Sequence, residues 1–244
     1  TVKGTFLNGC KIIRTSAITG EGIKDLKNEL INLEKEKYEK FKRDIFRMFI
    51  DRSFSVKGFG TIVTGTISSG LINKGDNLEL LPSEIKVKVR GLQSHDNNVD
   101  SLESGSRAAI NLHFNEKIQI TRGCHLSERG YFKVTKIIVA RLKLLTKTKK
   151  YKLKNNLRVR INIGTQESIG RILLVENESI ESSIVIIKLE KKIIASFKDR
   201  FIIRAFSPVS TIAGGEIIDY NIKGKWNDIK RYAKKIFCSK TDSD

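Results

Sequence analysis

The stretch from residue 46 to residue 82, FRMFIDRSFSVKGFGTIVTGTISSGLINKGDNLELLP, constrains the fold more than any other. Phe46, Met48 and Ile50 recur at every second position, the period of a strand with one buried face. The chain then turns through Ser55-Val56-Lys57-Gly58-Phe59-Gly60 and runs out along Thr61 to Thr66. A second turn, Gly70-Leu71-Ile72-Asn73-Lys74-Gly75-Asp76, leads into an apolar strand from Leu78 to Leu81. Strand, glycine turn, strand, Gly-Asp turn, strand predicts a small antiparallel barrel.

A chain of 244 residues has room for two such domains, and its 39% hydrophobic content is enough for their cores. The 46 Lys and Arg against 27 Asp and Glu give a formal charge of +19. That excess draws polyanions over a Debye length and beyond, with nucleic acid the first candidate and an anionic membrane the second. Lys, Ile and Asn are also what AT-rich coding produces, so the charge alone does not decide. Cys10, Cys124 and Cys238 lie far apart with no CxxC, which predicts a reduced, cytoplasmic setting. No apolar run has the length of a bilayer span and no signal peptide is read, so no membrane partner is expected.

Residues 10–16 read as a short buried strand, and residues 22–42 as a helix with Ile23, Leu26, Leu30 and Leu33 on one face. In the first β unit, Ile85, Val87 and Val89 alternate with Lys86, Lys88 and Arg90, a half-exposed strand. Asp96-Asn97-Asn98 reads as a turn, Leu102 to Gly105 as a loop, Arg107 to Leu112 as a strand, and Arg122-Gly123-Cys124 as a closing turn. The second unit carries strands near residues 135–145, 157–163, 167–175, 183–189, 200–206 and 216–220, with Gly214-Gly215 read as a tight bend. From Gly224 on, Trp226, Ile229, Ala233 and Phe237 take helical spacing. Cys124-His125 lacks a second ligand pair at metal-binding spacing, so it reads as a free thiol beside an exposed imidazole, and no metal site is expected. No Ser-His-Asp order, GxSxG or carboxylate pair at a plausible cleft stands out, and no catalytic residue is assigned.

Ile50-Asp51-Arg52 before the glycine turn and Gly58-Phe59-Gly60-Thr61-Ile62-Val63-Thr64-Gly65-Thr66 after it resemble the second domain of translational GTPases. Within that group the chain looks most like the selenocysteine-specific elongation factor family. Asp199-Arg200-Phe201-Ile202-Ile203-Arg204, followed by Thr211-Ile212-Ala213-Gly214-Gly215, resembles the end of that family's third domain, with Ala213 in place of a glycine. Arg200 and Arg204 are read as packing or ion-pair residues. The resemblance implies a mainly β chain of two consecutive antiparallel barrels, preceded by a strand–helix remnant of an α/β G domain and followed by a helical segment. The implied ranges are 1–43 for the remnant, 44–130 and 131–222 for the barrels, and 223–244 for the start of a C-terminal winged-helix domain. Ser16-Ala17 would be the remnant of the guanine loop. GTP and magnesium would belong to the parent protein. The chain itself is read as lacking a Walker A loop, a DxxG magnesium loop and an NKxD base-reading loop, and is expected to be inactive alone.

The resemblance places Arg52 and Arg107, with Asp51, around the aminoacyl group. The chemistry fits: a selenol is more acidic than a thiol and is an anion at neutral pH, whereas serine is neutral. Guanidinium hydrogen bonds to an anion can supply ~1.5–3 kcal/mol each. Residues 133–160 carry eleven Lys or Arg and no acid. Of these, Lys147, Lys149, Lys150 and Lys152 would meet the tRNA backbone and position it without reading sequence. Implied partners are selenocysteyl-tRNA, the ribosome, and a selenoprotein mRNA hairpin through further C-terminal domains, for a monomeric protein acting at UGA codons. Two other readings stay open: a translational GTPase carrying an ordinary or initiator aminoacyl-tRNA, and a stand-alone RNA- or ribosome-binding barrel module.

Overall fold

The computed structural model of the chain describes residues 9–35, 44–56, 58, 60–116, 118–145, 153–175 and 182–241, and divides into two units, residues 1–42 and residues 43–244. In the first unit, residues 10–16 form no strand, contrary to expectation, and Ile12 is 77% exposed. A buried parallel strand needs neighbours beside it, and among the described residues this unit offers none. Helix α1, Ile23–Lys35, has Asp25 in its first turn, where a carboxylate suits the helix dipole. Residues beyond Lys35 in the expected helix lie outside the described ones.

The second unit is mainly β. Its first part contains β1 (Arg47–Val56), β2 (Gly60–Ser69), β3 (Leu71–Asn73), β4 (Asn77–Leu81), β5 (Ile85–Ser94), β6 (Asn97–Val99), β7 (Ser101–Glu103), β8 (Arg107–His113) and β9 (His125–Ser127). The order β4-β9-β1-β2-β8-β5 closes on itself through a β4–β5 pairing, β6 adds to β5, and β3 pairs with β7. Met48, Ile50, Val63, Leu80, Ile110 and Leu126 fill the interior, as the alternation requires. Two expectations are corrected. Asn97 to Val99 is a strand, because the turn lies one step earlier, at His95-Asp96, both with positive φ. Leu102 and Glu103, read as the start of a loop to Gly105, belong to the strand Ser101–Glu103, which pairs with Leu71 to Asn73.

The second barrel is β10 (Lys133–Leu144), β11 (Leu157–Ile163), β12 (Gln166–Leu174), β13 (Ser182–Ala195), β14 (Arg200–Ala205) and β15 (Thr211–Asp219). They close in the order β10-β13-β12-β11-β14-β15, antiparallel throughout, so no edge is left to pair with another chain. Gly214 and Gly215 sit inside β15, not at a bend. Gly215 faces Phe201 across the ladder, and a Cβ there would overlap the Phe201 ring and the Arg141 carbonyl. The glycine is required by a neighbouring ring, which a single sequence does not reveal.

Helix α2, Trp226–Thr241, lays Trp226, Ile229, Ala233 and Ile236 over the outside of the second barrel, against Val139, Leu173, Ile184, Ile186 and Ile218. No described helix is long and apolar enough to cross a membrane.

Candidate nucleic-acid interface

The IDR segment is shaped by a bulge. Ile50 pairs with Gly65 and Arg52 with Thr64, so Asp51 is an extra residue in β1. Gly65 makes the bulge possible: a Cβ there would overlap the Phe49 carbonyl and press on the Met48 side chain at 3.0 Å. The threonines on either side of that glycine present hydroxyls outward. Thr64 Oγ1 donates to Asp51 Oδ1 at 2.8 Å, and Arg107 Nη1 reaches Asp51 Oδ2 at 2.5 Å and Thr66 Oγ1 at 3.5 Å. Arg107 lies directly opposite Thr66, and Arg52 opposite Thr64.

The structure therefore brings Asp51 and Arg107 into contact, with Arg52 close enough for its charge to act on Asp51. Partial burial pushes the Asp51 carboxyl up. The hydrogen bonds from Arg107 and Thr64 and the charges of Arg107 and Arg52 outweigh that, and hold it below its ordinary range. The Arg107 side chain is 50% exposed and Arg52 is exposed, so donors remain open to solvent. One carboxylate between two guanidiniums leaves a net positive surface that can take an anion, while Asp51 can accept from an ammonium.

The Ser16-Ala17 loop is tied to itself. Ser16 Oγ accepts from the Thr19 amide at 3.2 Å, and the Gly20 amide donates to the Ser16 carbonyl at 2.9 Å. Contrary to the expectation of no such motif, Asn73-Lys74-Gly75-Asp76 does spell NKxD. Its Asp76 accepts from the Asn73 amide at 2.7 Å, within the turn from β3 to β4 of the first barrel. The carboxylate is spent on that turn, so the tetrapeptide is not a base-reading loop. With no phosphate loop in the sequence, these residues do not fit a nucleoside triphosphate and its magnesium.

Lys147, Lys149, Lys150 and Lys152 lie outside the described residues. A cationic face that the sequence reading missed lies on the second barrel. Arg160 stands opposite Arg204, Arg158 opposite Arg171, and Arg171 opposite Lys188. Like charges directly across a sheet destabilise it. Glu190 takes Arg158 through two bonds, at 2.8 and 3.1 Å, and Glu167 takes Arg160 at 2.8 Å. Arg204 acts on Glu167 by its charge, and Arg200 stands exposed opposite Glu216. Arg158 and Arg160 lie over the Phe206 ring, at 4.3 and 5.3 Å. Six cations against three acids on one outer face form a track for phosphates. The alternation of Arg158 and Arg160 with Val159 and Ile161 is the signal that could have found it.

His125 is fully buried, a correction to the exposed imidazole expected for it. It pairs with Phe49 across β1–β9, and the rings meet edge-on at 4.4 Å. Arg47 lies between the Phe49 and Phe132 rings, at 4.5 and 4.6 Å, donates to His125 Nδ1 at 3.4 Å and meets Asp199 Oδ1 at 2.8 Å. The acid of the Asp199–Arg204 segment thus makes the buried ion pair, joining the barrels. Burial, then the Arg47 charge, holds the His125 pKa well below 6.5, so the ring is neutral. Because Arg47 can only donate, Nδ1 accepts and the proton sits on Nε2.

Residues 60–127 match the family described as elongation factor Tu domain 2, and residues 135–223 the selenocysteine-specific elongation factor β-barrel domain. Two curated relatives are both named selenocysteine-specific elongation factor. The one from Desulfomicrobium baculatum is 32% identical over 219 residues, covering 88% of this chain and 34% of the relative. The one from Methanocaldococcus jannaschii is 37% identical over 235 residues, covering 88% of this chain and 50% of the relative. The chain therefore spans between 34% and 50% of the length of these relatives. Among solved structures, translation elongation factor SelB from Methanococcus maripaludis, apo form, superposes with a TM-score of 0.74 at 28% identity, over 86% of this chain and 50% of that one. The same protein in complex with the GTP analogue GPPNHP gives 0.77 at 27% identity, over 88% and 52%. A bacterial selenocysteine-specific elongation factor gives 0.81 at 24% identity, over 94% and 38%, a likeness of fold.

Proposed function

The chain belongs to the selenocysteine-specific elongation factor family, and from that premise we propose that it binds selenocysteyl-tRNA, its first barrel taking the aminoacyl end and its second the stem. The activity it serves is GTP-dependent delivery of that tRNA to the ribosome at UGA codons in the cytoplasm. The observation that carries the reading is the bulged β1 that gathers Asp51, Arg107 and Arg52 on one outer face. An aminoacyl ester of selenocysteine carries an ammonium and an anionic side chain. A carboxylate set between two partly open guanidiniums complements both, and a neutral serine side chain forgoes the second interaction. The arginine track on the second barrel offers phosphate contacts that orient the tRNA without reading its bases.

The test is the affinity of the chain for selenocysteyl-tRNA relative to seryl-tRNA in the wild type, Arg52→Ala and Arg107→Ala. The preference for selenocysteyl-tRNA is expected to fall about tenfold in Arg107→Ala, equivalent to about 1.4 kcal/mol. An unchanged ratio in both variants would overturn the reading. Uniform weakening toward both tRNAs would also overturn it, by showing that the arginines bind RNA and not the side chain.

A further inference from the structure

The outward face of α2 carries Lys230, Arg231, Lys234 and Lys235, preceded by exposed Lys223 and Lys225; Asp228 stands in its first turn. Lys230 with Lys234, and Arg231 with Lys235, are like-charged pairs one turn apart, an arrangement that destabilises an isolated helix. What holds the helix in place is the opposite stripe, Trp226, Ile229, Ala233 and Ile236, on the barrel wall. The helix footprint on the wall includes Leu173 and Ile186. Two residues along the same strands, on the same face, stand Arg171 and Lys188, the end of the arginine track. The positive surface thus runs from β14 across β11, β12 and β13 onto the helix.

We propose that the outward face of α2 is a second phosphate-binding surface that takes the backbone of an RNA duplex, extending the contact made by the second barrel. The proposal rests on the reading that this chain binds tRNA, and adds an RNA-binding role for an element outside both barrels. Three features favour RNA over other polyanions. Among the described side chains, the apolar stripe of α2 lies on the barrel, so those residues are not free to insert in a bilayer interface as a membrane-bound amphipathic helix does. Among the described side chains the face lacks the apolar centre that a protein interface is built around: its exposed ring, Tyr232, is tied to Asp219 by a hydrogen bond of 2.8 Å. And Arg231 and Lys235, about 6 Å apart along the axis, can follow successive phosphates of one strand. Contacts of this kind are independent of sequence and sensitive to salt.

The experiment titrates the chain with a labelled blunt RNA duplex, free of loops and single-stranded ends, over a series of salt concentrations. It compares the wild type with the triple variant Lys230→Gln, Arg231→Gln, Lys235→Gln, and with Lys86→Gln, an exposed cation of the first barrel. In the triple variant the slope of log K against log salt is expected to become shallower by roughly two to three, with affinity at low salt down by about tenfold or more. Lys86→Gln is expected to bind the duplex as the wild type does. Circular dichroism and thermal unfolding show that the triple variant is folded, and Lys235→Glu alone supplies a second, milder test in the same direction. An unchanged slope and affinity in the folded triple variant overturns the proposal. So does a triple variant that keeps the duplex but loses phosphatidylserine vesicles or a polyglutamate peptide. If α2 variants lose the duplex while Arg52 and Arg107 variants keep their aminoacyl preference, the helix assignment stands and the pocket reading falls.

Discussion

Arg47 interrupts an apolar strand, and its surroundings show why an arginine can be tolerated there. The side chain is 3% exposed, stacked between two rings and paired with an Asp199 that is itself 11% exposed. Removing one partner of a buried pair strands the other charge, at about 3–5 kcal/mol. Arg47→Ala is therefore expected to lower unfolding stability by about that much, and Arg47→Ala with Asp199→Ala by less than the sum, measured by urea denaturation as a double-mutant cycle. His125 gives a pH signature. Its folded pKa lies well below 6.5, so the unfolded chain takes up a proton first as pH falls. Its contribution is complete above about pH 6.5 and is lost below it, at up to about 1.36 kcal/mol per pH unit. Between pH 7 and pH 5 the wild type is expected to lose more stability than His125→Gln, by at most about 2 kcal/mol; equal losses would show that the ring is protonated in the fold. The resemblance named Asp51, Arg52 and Arg107 together, and the structure adds the Asp51–Arg107 contact, while their aminoacyl role belongs to the proposal. The role of His125 was not, because its burial depends on Arg47, Phe132 and Asp199, all distant in sequence.

At the scale of elements, the strands that alternate cleanly were legible to within a few residues, since burial of one face fixes both period and register. The misses share a cause. Residues 10–16 have the composition of a buried strand and no neighbour among the described residues of their unit, so composition alone does not make them one. Ser101 to Glu103 is too short and polar to read as a strand, yet pairing with β3 orders it. Gly215 reads as a breaker but is a space for Phe201. Gly215→Ala is expected to cost about 1–3 kcal/mol by overpacking, and Phe201→Leu in the same chain to recover part of it. Thermal unfolding of the two single variants and the double variant decides the matter. A Gly215→Ala chain as stable as the wild type would mean that the ring swings clear. Ile229 is buried in the cluster that α2 forms with Val139, Ile184 and Ile186, and Ile229→Ala is expected to cost about 2–5 kcal/mol.

Across residues 43–244, the two barrels are fastened at three kinds of contact. There is the Arg47–Asp199 pair, a hydrogen bond of 2.8 Å from Thr165 Oγ1 to the Ile50 carbonyl, and an apolar cluster of Leu81, Phe132 and Ile194 with Ile45 and Val134. Gly164 lets the β11–β12 turn approach the Phe49 ring, which a Cβ at that position would overlap. The accepting carbonyl belongs to Ile50, the residue before the bulge that sets Asp51 outward. The joint therefore grips the same strand that shapes the proposed aminoacyl pocket. A tRNA held at its end by one barrel and along its stem by the other needs the two surfaces at a fixed separation, and a fixed joint removes the ordering cost from binding. Asp199→Ala combined with Thr165→Val is expected to leave both barrel cores folded but to uncouple them. Calorimetry would then resolve two transitions where the wild type gives one, and affinity for tRNA would fall while affinity for a short RNA duplex stayed level. A single transition, lowered in temperature with tRNA and duplex affinities falling together, would show that the joint contributes stability alone and does not set the spacing between the two surfaces.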